Sequence, residues 1–233
     1  MLALRSLTFN LVMWLSVLIY APLVVLSAPV PSLPRYRFIT QWARFNLWAL
    51  EKICGLRYVV QGREHLPTGP AIVLSRHEST WETLALQMIL PPQVWVLKRE
   101  LLWVPFFGWG LAQTEPIAID RRSGRKALEQ VIEQGQERLA RGRWVIVFPE
   151  GTRMPAGQIG RFGMGGAVLA ARTGYPVVPL AHNAGSYWPR RGFIKKPGTI
   201  TVVIGPTITS AGSTAEDINR LVGDWIRATV TNL

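Results

Sequence analysis

Between Leu7 and Val30 the chain carries no charged side chain. A helix of roughly 24 such residues covers a ~30 Å hydrocarbon core. Residues 11–26 offer no polar face to set against water, as a surface helix of a soluble domain requires. Pro22 lies inside the run and Pro29, Pro31 and Pro34 crowd its end, so the helix is expected to bend or stop there. Residues 36–54 then mix Arg and Gln with Phe, Trp, Ile and Leu in an amphipathic manner. We read residues 1–54 as a membrane-associating helical hairpin that dips into or lies along one leaflet. A single span is a second reading. A cleaved signal peptide is a third, since Arg5 precedes an apolar run ending near Ala28.

Charge is distributed as unevenly as hydrophobicity. The net charge of +12 comes from 26 basic and 14 acidic residues, yet residues 1–50 hold four Arg and no acid, and residues 151–215 hold seven basic residues and no acid. Such asymmetry points to a negatively charged partner, nucleic acid or an anionic lipid surface. The apolar N-terminus selects anionic membrane lipids, with no nucleic acid. Arg35, Arg37 and Arg44 after the apolar run favour the cytoplasmic face of the inner (cell) membrane. The single cysteine, Cys54, excludes an internal disulfide framework and a multi-cysteine zinc site within one chain. With three His in total, no metal centre is expected.

From Arg57 the pattern becomes strand and helix in alternation. β-rich runs occupy 58–61, 71–75, 94–97, 116–119, 144–148, 177–181 and 200–204, with helical periodicity over 123–141, 163–172 and 214–229. This predicts an α/β domain over 55–233, with a largely buried sheet. Residues 184–198, rich in Gly, Pro and basic side chains, read as a surface loop. Polar groups for chemistry collect where strands leave such a sheet, and four runs end in charged clusters. They are Arg76 to Glu82, Lys98-Arg99-Glu100, Asp120-Arg121-Arg122 and Glu150 to Arg153, so one shared site is expected.

His77 and Glu82 would point about 140° apart on an unbroken helix. They meet only if His77 precedes the helix and Glu82 lies in its first turn. Ser79 to Glu82 reads S-x-x-E, a capping box, which supplies that start and equally offers Glu82 a purely structural use. A carboxylate on one imidazole nitrogen fixes the tautomer, so the other nitrogen can take a hydroxyl proton. A serine hydrolase would need a nucleophile elbow such as G-x-S-x-G, and the sequence has none. Cys54, at the edge of the N-terminal segment, is a poor nucleophile. The aromatic run Trp103, Phe106, Phe107 and Trp109 suits an acyl groove or a core equally.

Taken together, these motifs resemble the 1-acylglycerol-3-phosphate O-acyltransferase (lysophosphatidic acid acyltransferase) family of glycerolipid acyltransferases. The H-x4-D block is similar to His77 to Glu82, the I-D-R motif to Ile119-Asp120-Arg121, and F-P-E-G-T-R to Phe148 through Arg153. The V-P-V-V-P-like strand resembles residues 175–180, and the likeness spans roughly residues 57–206. It implies a twisted, half-barrel-like mixed sheet flanked by helices, with an N-terminal two-helix docking element. It also implies lysophosphatidic acid as acceptor, acyl-CoA or acyl-carrier protein as co-substrate, and no other cofactor. By the resemblance His77 is the general base and Glu82 its orienting carboxylate. Arg121 and Arg153 would bind the acceptor phosphate, Lys98 would add a basic group, and Glu150, Gly151 and Thr152 would line the acceptor site. Two positions depart from the pattern. Glu82 replaces the usual Asp, and Arg76 stands where Asn is common, where it could extend the phosphate pocket or shift the preferred acceptor. Another lyso-lipid acceptor, and a non-catalytic basic binding protein, are the competing functional readings.

Overall fold

The computed structural model describes the backbone of all 233 residues and every side chain except that of Arg121. Seven strands form one mixed sheet: β1 (Leu56–Gln61), β2 (Ile72–Ser75), β3 (Gln93–Lys98), β4 (Ile117–Ile119), β5 (Trp144–Val147), β6 (Val177–His182) and β7 (Gly198–Ile204). Their spatial order is β1-β7-β6-β2-β5-β3-β4. All seven β-rich runs of the sequence are strands. Every neighbouring pair is parallel except β6 with β7.

The short central strands are apolar at nearly every position, as expected where helices cover both faces. Alternation along each strand sorts them into two cores. Val73, Ile146, Trp95 and Val178 face one way, under α1 (Leu2–Leu26), α2 (Ser32–Cys54) and α3 (Trp81–Ile89). Ile72, Val145, Val94 and Val177 face the other, under α5 (Arg125–Ala140), α6 (Gly165–Thr173) and α8 (Ala215–Thr231). The short α4 (Phe107–Ala112) packs beside α1. The helices read from periodicity match these to within a few residues. Because β2, β5, β3 and β4 run parallel, their C-terminal ends share one edge, and the four charged clusters leave the sheet together.

The N-terminal helices pair along their length. The Tyr20 hydroxyl donates to the Phe38 carbonyl at 2.6 Å, and the Trp42 indole donates to Ser16 at 3.0 Å. α1 is long and apolar enough to cross a membrane, and only 22% of its most apolar window is buried against the rest of the protein. It runs through Pro22 rather than stopping there. Pro34 sits in the first turn of α2, where a missing N–H costs nothing. Gly55, at φ 68, closes α2 in the left-handed region. The hairpin is not loosely appended, since Phe9, Leu47, Leu50 and Cys54 belong to the same core as the sheet.

Residues 184–198 differ from the surface loop expected. They begin with a short helix, α7 (Ala184–Tyr187), and bury Trp188 and Lys195. The Lys195 ammonium donates to the Asn10 side chain of α1 at 2.5 Å and to the Phe193 carbonyl, among the rings of Phe9, Trp188 and Phe193. A basic residue in a Gly- and Pro-rich stretch is here a pin between the body and α1.

Candidate active site

β2 ends at Ser75, and the chain crosses to α3 through Arg76, His77, Glu78, Ser79 and Thr80. The residues of this crossing alternate in direction. Arg76 and Glu78 point into the protein and are sealed, while His77 lines a cavity of about 500 Å³. Glu82, in the first turn of α3, is fully buried beneath the crossing. One of its carboxylate oxygens accepts from His77 Nδ1 at 2.8 Å and from the backbone N–H groups of Glu78 and Ser79 at 2.9 and 2.8 Å. The structural and the chemical uses of Glu82 are therefore simultaneous. It satisfies amides ahead of the helix, and those amides fix it against the imidazole.

Burial would push the Glu82 carboxyl up, but His182, His77 and the Ser79 amide outweigh it and hold the group below the usual carboxylate range. A Glu82 anion accepts, so His77 Nδ1 carries the proton and Nε2 is the basic nitrogen. Burial draws the His77 pKa below its ordinary 6.5 despite the pull of Glu82, which leaves the ring neutral at pH 7. The ring stacks on Phe148, with centroids 3.9 Å apart, so the first residue of F-P-E-G-T-R sets its plane.

Glu150 was expected at the acceptor site. Its carboxylate instead turns inward, accepting from the His77 backbone N–H at 2.9 Å, from Gly160 N–H at 3.2 Å and from Arg76 at 3.4 Å. Arg76 does not extend a phosphate pocket. It is fully buried, paired with Glu78, and donates to the carbonyl of Gln158 at 2.7 Å. Glu78 in turn accepts from Gly185 N–H at 2.8 Å, where a Cβ would crowd the carboxylate at 3.0 Å. His182, ending β6, bridges the Arg76 carbonyl and the Ala184 N–H. This sealed network clamps the β2 crossing to the segment after β5, and nothing in the sequence reading anticipated it. The one local signal was a polar residue ending an otherwise apolar strand at His182.

The cavity has a cationic mouth and an apolar interior. Lys98, Gly151, Thr152 and Arg153 line it, and so do Arg190 and Arg191, which the sequence reading did not single out. Arg153 Nε is buried with no hydrogen-bond partner among the described residues. Asp120 accepts from the Arg122 N–H and pairs with Arg99 at 3.0 Å, shaping the turn that holds Arg121. The expected phosphate contact of Arg121 rests on a side chain outside the described residues. Inward, Met13, Val17, Ala21 and Val24 of α1 face Leu84, Trp95, Phe106 and Leu111 across the cavity. Of the aromatic run, Phe106 and Phe107 line this space, whereas Trp103 is 67% exposed and Trp109 49%.

A neutral histidine held by a buried carboxylate, between guanidinium groups and an apolar chamber, has the parts for transferring a fatty chain to a phosphate-bearing acceptor. The Acyltransferase family model matches residues 57–183. The 1-acyl-sn-glycerol-3-phosphate acyltransferase of Pseudomonas aeruginosa is 46% identical over 236 residues, covering 99% of this chain and 92% of that one. The alpha enzyme of the same name from Mus musculus is 31% identical, covering 85% of this chain and 72% of its own. In fold, the chain matches the crystal structure of the 1-acyl-sn-glycerophosphate (LPA) acyltransferase PlsC from Thermotoga maritima. The TM-score is 0.81 at 22% identity, over 99% of this chain and 95% of that one. The protein belongs to the 1-acyl-sn-glycerol-3-phosphate acyltransferase family.

Proposed function

We propose that the protein transfers a fatty acyl group from an acyl thioester to the free hydroxyl of 1-acylglycerol-3-phosphate, giving phosphatidic acid. The observation that carries this reading is the 2.8 Å contact between His77 Nδ1 and the buried Glu82 carboxylate, at the point where a cationic mouth meets an apolar cavity. His77 Nε2 takes the hydroxyl proton as the oxygen attacks the thioester carbonyl carbon. The tetrahedral intermediate collapses with cleavage of the C–S bond, and the imidazolium returns its proton to the departing sulfur. Glu82 stabilises the transient imidazolium. Arg153, with Lys98 nearby, receives the acceptor phosphate through charge-assisted bonds, while the apolar interior receives acyl chain. The reaction so written needs no cofactor beyond acyl-CoA or acyl-carrier protein as co-substrate.

Both the acceptor and the product reside in a bilayer, so the site must work at its surface. The exposed apolar face of α1, with Trp14 60% exposed, supports docking there, and the exposed Arg37 and Arg44 support the cytoplasmic face and contact with anionic lipid. Arg35, by contrast, is paired with Glu115 at 2.5 Å. The test is turnover by purified protein of 1-acylglycerol-3-phosphate with acyl-CoA and, separately, with acyl-carrier protein. Phosphatidic acid should form with at least one donor. Its absence with both, alongside turnover of a different lyso-lipid, would replace the acceptor assignment.

A further inference from the structure

Residues 189–192 form a tight turn closed by the Gly192 N–H donating to the Pro189 carbonyl at 2.8 Å. Arg190 and Arg191 occupy its two central positions, and both line the cavity that holds His77. Arg191 has φ 57, a left-handed conformation that a long side chain adopts at a cost. Gly192 is required by space, since a Cβ there would lie 2.6 Å from the Pro189 ring. The turn stands on rigid footing. Trp188 beneath it packs edge-on against Phe9 of α1 with centroids 5.5 Å apart, and Lys195 beyond it is pinned to Asn10. This footing fixes the backbone of the turn and presents two exposed arginines at the cavity.

Their electrostatic surroundings are one-sided. Arg190 donates to the Arg153 carbonyl at 2.9 Å, which brings the turn against the end of F-P-E-G-T-R. No ion pair joins Arg190 or Arg191 to a carboxylate among the described residues, and residues 151–215 contain no acid at all. Glu82, the acid that Arg153 senses, is occupied by His77 and two amides. Like charges gathered around one opening repel, and a dianion entering among them relieves that repulsion.

We propose that Arg190 and Arg191 form, with Arg153, a clamp that binds a substrate phosphate at the cavity mouth. The inference rests on the acyl-transfer reading above and extends its phosphate recognition from Arg153 to a turn outside the four sequence motifs. Arg153 approaches from the segment after β5 and the two turn arginines from the segment after β6, so the phosphate is held from two sides. Guanidinium groups suit this because each can give two parallel N–H bonds to phosphate oxygens. Two substrates carry such a group, the lyso-lipid acceptor and the coenzyme portion of acyl-CoA, and the clamp chemistry is the same for either.

The experiment compares wild type with Arg190→Ala, Arg191→Asn and the double variant. Asn is chosen because it tolerates the left-handed backbone at position 191. KM is measured for 1-acylglycerol-3-phosphate, and for acyl-CoA against an acyl-pantetheine thioester that lacks the nucleotide phosphates. Each single variant should raise the relevant KM roughly tenfold and the double variant more, as loss of charge-assisted contacts implies. Arg190→Lys should retain part of the affinity. A rise for the lyso-lipid alone assigns the clamp to the acceptor phosphate. A rise for acyl-CoA with no change for acyl-pantetheine assigns it to the donor. Unchanged KM for all three substrates, with unchanged melting temperatures, would overturn the proposal while leaving acyl transfer standing. Wild type without any turnover of 1-acylglycerol-3-phosphate would instead count against the acyl-transfer reading itself.

Discussion

His77 and His182 stand at the ends of neighbouring parallel strands, each with a glutamate close by. His182 is fully buried, with Nε2 on the Arg76 carbonyl, Nδ1 accepting from Ala184 and Glu78 3.9 Å away. His77 gives one nitrogen to Glu82 and lines the cavity with the rest of its ring. An imidazole beside a carboxylate is therefore not by itself a catalytic pair. The pair becomes a base when the backbone consumes one nitrogen at most and the other meets substrate. In His182 the main chain consumes both, so that ring is scaffold for the loop on which His77 rides.

The comparison can be broken by experiment. His77→Ala should lower turnover by ~10²–10⁴-fold, the usual worth of a general base, with little change in melting temperature. Retention of activity within about threefold would remove His77 from the mechanism. On the scaffold side, Arg76→Met would strand Glu78 and Glu150 as buried anions and should cost about 3–5 kcal/mol of stability, read by denaturant unfolding. Adding Glu78→Gln should recover part of that loss, and an Arg76→Met protein as stable as wild type would refute the network. His182→Ala should cost about 1–3 kcal/mol, the penalty for unpaired buried backbone groups, with a smaller fall in turnover than His77→Ala gives.

The smallest expected effect is the most discriminating. Glu82→Gln preserves an acceptor for the amides of Glu78 and Ser79 but removes the charge facing His77. Turnover should fall by roughly tenfold or more, a share of the general-base contribution, with a modest change in melting temperature. With His77 as the proposed base, wild-type turnover should be flat near neutrality and fall as pH drops through a value below 6.5. Without the Glu82 charge the imidazolium is less favoured, and that acid limb should move to still lower pH. A limb that stays in place would mean another group controls the profile. Glu82 has a depressed folded-state pKa, so its ionisation stabilises the fold above the ordinary carboxylate range and that contribution is lost as pH falls below it.

The features legible in the sequence share a physical origin. Strands announced themselves through short apolar runs, and helix geometry plus a local start signal four residues long allowed His77 to meet Glu82. What stayed hidden was contact across long separations. Arg76 with Glu150 and Glu78 with Gly185 are brought together only by the pairing of β2 with β5 and β6, and no local pattern encodes them. Glu150 was misplaced for the same reason. Its motif placed it at the site, but not which way its carboxylate turns. Composition misled once, over residues 184–198. Gly, Pro and Lys suggested a solvated loop, whereas Lys195 is buried among aromatic rings, and that burial draws its pKa down to about 8.

α1 has two apolar sides with different tasks. Val17, Ala21 and Val24 line the cavity, while Trp14, Leu15, Leu18 and Ile19 project away from the protein. The chamber wall on that side is one helix thick. On the proposed reading, with α1 in lipid and acyl chain in the chamber, a bilayer that tilts α1 would also resize the chamber. Acyl-length selectivity would then be a joint property of protein and bilayer, and should differ between detergent micelles and bilayers of graded thickness.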